Sequence, residues 1–406
     1  MIERADISIV DNPVARENRP ITAPTAAFAP EQARLVRRFH RSLPGYEPSP
    51  LVCLDALATD LGVAHVWVKD ESFRFGLGAF KVLGASYALA SILTEALGLP
   101  PGGPSFETLD TPEARAESER VTVCTATDGN HGRALAWAAR QMGCSAVVYM
   151  PRGSSEARFD AIASEDADVS IVDETYDGAV ALAAEESARH GWRLVQDTAW
   201  DNYEETPRRI MQGYLTIVDE AMEQLRGQVP THVFVQAGVG SLAGAIQAQL
   251  YQLMGGGRPV VAVVEPTEAA CCYASMAAGT RVPHSLEGDL PTIMAGLACG
   301  TPSKIAWNIL RDHTDAFVAC SDAVAMNGMH ALAHPRPGDA AIVSGESGAV
   351  TTGLLVSLLD PSSQATFADT IETLMLDVDS RILLISTEGA TDPSSYRRII
   401  GAQSIR

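Results

Sequence analysis

Three stretches of the chain hold side chains suited to chemistry, and the first is built on Lys81. It lies in Val68-Lys69-Asp70-Glu71-Ser72-Phe73-Arg74-Phe75-Gly76-Leu77-Gly78-Ala79-Phe80-Lys81-Val82-Leu83-Gly84. Residues 66–69 predict a short strand, Gly76 and Gly78 a turn, and residue 80 onward a helix, so Lys81 stands at a helix start. Peptide dipoles leave partial positive charge there, and Phe80, Val82 and Leu83 are apolar. Both effects should lower the lysine's pKa and free its amine as a nucleophile. The plainer reading of one such lysine is a stem laid over the core with its head in water. The second stretch, Gln236-Ala237-Gly238-Val239-Gly240-Ser241-Leu242-Ala243-Gly244, follows a strand and opens a helix. Its glycines let backbone N–H groups approach an anion and the helix dipole adds to the attraction, which describes a phosphate cradle. It lacks the Gly-Lys-Ser/Thr ending of a P-loop and has only part of a dinucleotide fingerprint, which argues against nucleotide chemistry. A glycine turn that binds nothing is the alternative. The third stretch, Thr125-Ala126-Thr127-Asp128-Gly129-Asn130-His131-Gly132-Arg133, again joins strand to helix and offers Asn130 to a ring hydroxyl or a carboxylate. Asp128 or Asn130 would serve equally as a helix cap, and His131 as a structural histidine.

One small molecule uses all three stretches. Pyridoxal phosphate has an aldehyde that condenses with a lysine amine and a phosphate that needs backbone donors. At this point the sequence also shows a resemblance. FRFGLGAFKVLGASY (73–87), TDGNHGRALAW (127–137), VQDTAW (195–200), QAGVGSLAG (236–244), SGESGAV (344–350) and STEGATDP (386–393) resemble the diaminopropionate ammonia-lyase family. That family belongs to the tryptophan-synthase-β-like, fold type II pyridoxal phosphate enzymes, and the match runs in order over nearly the whole chain. Gly78 departs from it, standing where the family has Asn.

The resemblance implies an α/β architecture of two parallel-sheet αβα domains, with pyridoxal 5'-phosphate in the cleft between them. It assigns the Schiff-base lysine to Lys81, the partner of the cofactor's ring hydroxyl to Asn130, and the phosphate cradle to Gly238, Val239, Gly240, Ser241 and Leu242. Thr387, or in its place Ser386, becomes the neutral hydroxyl partner of the ring nitrogen, which by analogy of fold favours elimination over transamination. The implied reaction is β-elimination of ammonia from 2,3-diaminopropionate to aminoacrylate, which hydrolyses to pyruvate and a second ammonia. Dehydratases of this fold carry a small uncharged residue at the position of Asp128. A carboxylate there can hold a β-ammonium or act as base on the face opposite Lys81, so that both enantiomers react. Asp197 resembles a second active-site acid, with a strand-end cap as its other reading. The alternatives are a serine or threonine dehydratase and a catalytically silent cofactor-binding relative. The resemblance also implies a homodimer.

The elements that must hold these groups follow from the rest of the chain. At 406 residues it exceeds the usual size of one core, so two domains with a cleft are expected. Residues 1–90 with 226–406 are expected to form the larger, cofactor-binding domain, and 91–225 the smaller. A formal charge of -20 argues against nucleic acid and an anionic membrane as partners and leaves a small amino-acid substrate. The start has no apolar core of signal-peptide length and no run reaches membrane-spanning length, which predicts a cytoplasmic protein. Seven cysteines (Cys53, Cys124, Cys144, Cys271, Cys272, Cys299, Cys320) are scattered without metal-ligand spacing, so no metal is expected. Cys271, Cys272 and Cys299 flank one glycine-rich region and are expected near each other.

Residues 1–45 read as an arm over the body or a partner subunit, with a short helix at 32–41. Residues 51–61 read as a helix and 100–119 as a surface loop. Strand and helix then alternate: strands at 121–126, 146–150, 169–172 and 193–196, helices at 131–142, 155–164 and 176–189, and one long helix at 207–225. A second alternating series takes in 233–236, 242–254, 260–265 and 269–278, and closes with 341–343, 348–359 and the strand 381–386. Residues 283–301, rich in glycine and proline, are a candidate active-site loop.

Overall fold

The computed structural model describes residues 5–16, 25–99 and 103–401. Its larger sheet has seven strands in the order β1-β10-β9-β8-β11-β3-β2. These are β1 (Ile7–Asp11), β2 (Leu51–Cys53), β3 (His65–Asp70), β8 (His232–Gln236), β9 (Val260–Pro266), β10 (Ala316–Cys320) and β11 (Arg381–Ser386). The middle five run parallel and the two edges, β1 and β2, antiparallel. Strands buried on both faces need apolar residues at every position rather than alternate ones, and Val260-Val261-Ala262-Val263-Val264 is such a run.

The smaller sheet has four parallel strands in the order β6-β5-β4-β7: β4 (Thr122–Ala126), β5 (Ser145–Met150), β6 (Asp168–Ile171) and β7 (Arg193–Leu194). All of its strands fall within 91–225, and all strands of the larger sheet outside it. The helix Leu215–Gln224, although inside that span, is tied to the larger sheet by buried ion pairs from Lys69 (2.7 Å) and Arg74 (2.8 Å) to Glu220.

Several expectations change. Residues 51–61 are not one helix: Leu51–Cys53 pairs with β3, and the helix begins at Asp55. In the arm the expected helix at 32–41 is present as Pro30–Ser42, amphipathic with one face buried, whereas β1, which completes the larger sheet against β10, was not expected. Residues 1–4 and 17–24 of that arm lie outside the described residues. The expected loop at 100–119 contains the helices Phe106–Leu109 and Pro112–Ser118, the latter capped by Thr111, whose side chain accepts from the Ala114 N–H. The long helix is two, Glu205–Gly213 and Leu215–Gln224. They part where Gly213 presses on the backbone of Leu83 so closely that a Cβ would lie 2.3 Å from its carbonyl oxygen. Residues 341–343 form no strand, and the sequence reading passed over Lys304–His313, β10 and Asp322–Ala333. No helix among the described residues is long and apolar enough to cross a membrane.

Candidate active site

Lys81 is the first residue of the helix Lys81–Ala96, which enters directly from a turn pinned to the end of β11. The pins are backbone bonds from the Phe80 N–H to the Thr387 carbonyl (3.1 Å) and from the Gly389 N–H to the Gly78 carbonyl (2.9 Å). Gly78 has φ of 78°, a left-handed conformation open to glycine and tolerated by asparagine, so glycine in place of the Asn expected from the family resemblance is compatible with this turn.

The Lys81 ammonium does not stand alone at the helix start. It donates a hydrogen bond to Asp197, which follows β7 on the smaller sheet's side. Burial pulls the lysine down, but the Asp197 charge outweighs it and holds the amine well above its ordinary value. The expected lowering by dipole and apolar neighbours is therefore overturned: an aspartate 116 residues away in sequence decides the sign. Asp197 is correspondingly held down at about 2, burial opposing and Lys81 and His131 prevailing. His131 is anchored through Nε2 to the Val195 carbonyl (2.8 Å), while its buried Nδ1 has no hydrogen-bond partner among the described residues and lies 4.0 Å from Asp197 Oδ2. Burial pulls the His131 pKa down, against the opposing pull of Asp197.

The loop before the helix Asn130–Met142 is capped by neither Asp128 nor Asn130. Thr127 Oγ1 accepts from the N–H groups of Gly129 (2.9 Å) and Gly132 (3.1 Å), which frees the other two side chains. Asp128 turns to Arg158, its Oδ2 3.5 Å from Nη1, and Asn130 donates to Glu388 beside Thr387. Thr387 Oγ1 accepts from Gln236 Nε2 (2.8 Å), which leaves its hydroxyl hydrogen to donate elsewhere. Ser386 is instead bonded to Ser344 (2.8 Å) and is not among the cavity-lining residues.

Gly238, Val239, Gly240, Ser241 and Leu242 form the turn into the helix Ser241–Met254. The amides of Gly238, Val239 and Gly240 donate to no protein acceptor among the described residues. Gly240 has φ of 88°, and a Cβ at Gly238 would lie 3.0 Å from Cys299 Sγ, so the turn admits only glycine at close quarters. Ser241 Oγ donates to the Asp197 carbonyl (2.8 Å) and so joins cradle to acid. Free amides, a helix N-terminus, a buried hydroxyl donor and a lysine fit pyridoxal phosphate, and they line one cavity of about 700 Å³.

That cavity gathers every site residue read from the sequence: Lys81, Asp128, Asn130, Asp197, the cradle and Thr387. The segment 288–300 lines it too, as expected of the glycine- and proline-rich loop. Cys271, Cys272 and Cys299 do converge behind the cradle, Cys271 Sγ donating to the Gly238 carbonyl (3.6 Å), and all three are free thiols. Metal-ligand residue types meet in two places despite their scattered spacing, as Glu265–Cys271–Cys272 and Cys53–Asp55–His65. In the first, the Glu265 carboxylate caps a helix by accepting from the Cys272 (2.8 Å) and Tyr273 (2.7 Å) N–H groups. In the second, the Cys53 thiol donates to Asp55 (2.9 Å). The sequence reading missed Glu346, Ser347 and Glu388, although each lies in a motif it quoted. It also missed Arg158, which nothing in its helical stretch marks.

A family model described as pyridoxal-phosphate dependent enzyme matches residues 43–365. The chain is 46% identical over 376 residues to diaminopropionate ammonia-lyase of Escherichia coli (strain K12), covering 92% of each chain. It is also similar to the crystal structure of the selenomethionine-incorporated holo form of diaminopropionate ammonia-lyase from Escherichia coli, with 43% identity, TM-score 0.90, and coverage of 99% of this chain and 98% of that one. A second structure of the Escherichia coli protein, in complex with an aminoacrylate-PLP azomethine reaction intermediate, matches over the same shares with 43% identity and TM-score 0.88.

Proposed function

This chain belongs to the pyridoxal-phosphate dependent enzymes and, among them, to the diaminopropionate ammonia-lyase family, and on that premise we propose that it eliminates ammonia from 2,3-diaminopropionate. The product, aminoacrylate, hydrolyses to pyruvate and a second ammonia. The observation that carries the reading is the meeting, in one cavity, of Lys81 paired with Asp197, the cradle of free amides and the carboxylate of Asp128.

When bound, pyridoxal phosphate links to an amino group through its aldehyde and draws electrons from the substrate's Cα. The chain's own groups do the rest. Gly238 to Leu242 would hold the phosphate through backbone N–H groups and the helix dipole. Asn130 would meet the ring hydroxyl, and Thr387 would give its hydroxyl hydrogen to the ring nitrogen. Asp197 holds the Lys81 amine in its protonated form and fixes its position in the cavity, and Lys81 acts as nucleophile or base once it has given up that proton. Asp128 removes the α-proton of one enantiomer and Lys81, from the other face, that of its mirror image. The Asp128–Arg158 contact holds the carboxylate in place at the cavity wall.

The same reading divides the chain into 1–90 with 226–406 and 91–225, with the helix Leu215–Gln224 riding with the larger unit. It also includes a homodimer, as the family resemblance implies, and a place in the cytoplasm, as the sequence pattern predicts; sedimentation of the holoenzyme checks the dimer. The activity itself is tested by incubating the holoenzyme with diaminopropionate, serine and threonine. One pyruvate and two ammonia per diaminopropionate, with slower release from serine, is the expected result; faster release from serine or threonine makes the protein a dehydratase.

A further inference from the structure

The mouth of the cavity holds more negative charge than its own cations can balance. Arg158 is the guanidinium there, and the carboxylates of Asp128, Glu388, Glu346 and Asp392 all face it. Arg152 and Arg398, also at the rim, are exposed. Glu346 and Glu388 are 5% and 3% exposed, on the larger sheet's side of the cleft. Their hydrogen-bond partners are neutral: Ser395 Oγ donates to Glu346 (2.6 Å), and Asn130 and Thr391 Oγ1 (3.3 Å) donate to Glu388. Buried carboxylates in this excess are costly unless a cation joins them. A second observation points the same way. Ser347, next to Glu346 and 4% exposed, lines the cavity with a buried hydroxyl that has no hydrogen-bond partner among the described residues.

We infer that Glu346 and Glu388, with Ser347, form the subsite for the substrate's second ammonium, and that they keep the leaving amine protonated until the C–N bond breaks. The inference rests on the reaction proposed above and names the groups that select its substrate. The chemistry requires such a subsite. When the base takes the α-proton, the Cα–H electron pair becomes the Cα–Cβ double bond and the Cβ–N pair departs with nitrogen. An –NH3⁺ group then leaves as neutral NH3, whereas a neutral amine would have to leave as the far more basic amide anion. Serine brings no cation to the subsite, and its hydroxyl must find a proton in order to leave as water. Burial pushes the Glu388 carboxyl up while Arg158 pulls it down and Glu346 and Asp128 push it up again, as expected of a site short of positive charge.

The test compares diaminopropionate with β-chloroalanine, whose chloride leaves without a proton, in the wild-type holoenzyme and in Glu346→Gln and Glu388→Gln. Both variants should bind cofactor, read by its visible absorbance. The ratio of kcat/KM for diaminopropionate to that for β-chloroalanine should fall by roughly ten- to a hundredfold, the scale of a hydrogen bond to a charged group. The basic limb of kcat against pH for diaminopropionate should also move down by about one unit, since a bound ammonium that has lost its counter-charge gives up its proton sooner. An unchanged ratio and an unmoved limb in both variants overturn the subsite. Release of pyruvate from β-chloroalanine but not from diaminopropionate by the wild-type enzyme overturns the proposed reaction, and the subsite with it.

Discussion

Two lysines twelve positions apart in sequence end up in opposite circumstances. Lys69, on β3, is fully buried, and its ammonium makes three hydrogen bonds: to the Ser49 carbonyl (2.7 Å), Glu220 (2.7 Å) and Gln224 (2.9 Å). Arg74 shares Glu220 and binds Glu71, so two cations and two carboxylates close on one another without solvent. Lys81 has one carboxylate partner, Asp197, and the rest of its donor capacity faces the cavity. The electrostatics separate them as well. Burial lowers the Lys69 pKa, and its neighbour Arg74 adds to that, despite Glu71 and Glu220; for Lys81 the charge of Asp197 leads the effects that outweigh burial. A lysine whose three protons are all spoken for is part of the frame. One with donors to spare is available to a ligand.

The comparison breaks first at Lys81. Lys81→Ala should lower turnover by roughly ten-thousand-fold or more, on the scale of losing an enzyme's nucleophile, and should abolish the visible band of the bound cofactor. Undiminished elimination would hand its role to another amine. Asp128→Asn sharpens the account of Lys81 as one of two bases. Turnover of the enantiomer that Asp128 deprotonates should fall by roughly a hundred- to ten-thousand-fold, and that of its mirror image much less. If both weaken together in apparent affinity, Asp128 anchors substrate rather than moving a proton.

Lys69→Met should behave in the opposite way to Lys81→Ala. It leaves Glu220 with one cation fewer in a dry interior and should cost about 3–5 kcal/mol of stability in urea unfolding. The folded fraction should keep its cofactor band. A Lys69→Met protein as stable as wild type would mean the quartet contributes nothing net. The smallest effect concerns His40, which links the frame to the Lys81 helix through Thr216 Oγ1 (2.7 Å) and the Leu83 carbonyl (3.0 Å). Burial pulls this imidazole down to about 3. Its contribution to stability is therefore present above the unfolded value near 6.5 and is lost as pH falls from there toward 3, because the unfolded chain takes a proton that the folded one refuses. His40→Gln should make the acid side of a Tm-against-pH curve shallower, and an identical slope would remove His40 from the linkage.

How far the sequence carries is visible in the same two lysines. Val66-Trp67-Val68-Lys69 and Phe80-Lys81-Val82 are both apolar contexts, and nothing local tells frame from site. Position at a helix start, glycine pairs after strands and motif order brought Lys81, Asn130 and the cradle to one cavity correctly. The direction of the Lys81 pKa was not legible, since it depends on Asp197 arriving from the other sheet. The role of Thr127 in freeing Asp128 was hidden too, because a threonine, an aspartate and an asparagine within four residues are all plausible caps. Periodicity found the elements of 121–200 because each is amphipathic or β-branched. It missed the break at Tyr214 because helical spacing is kept on both sides, and the cause, contact with Leu83, is tertiary.

The most direct test of Lys81 as the cofactor's lysine is chemical. Borohydride reduction of the holoenzyme fixes the cofactor to its lysine as a secondary amine, and peptide mapping by mass spectrometry then locates it. The account predicts the reduced cofactor on the peptide carrying Lys81, with Lys69 unmodified. A label on Lys69 or on any other lysine, or none on Lys81 in protein that shows the visible band, would contradict it.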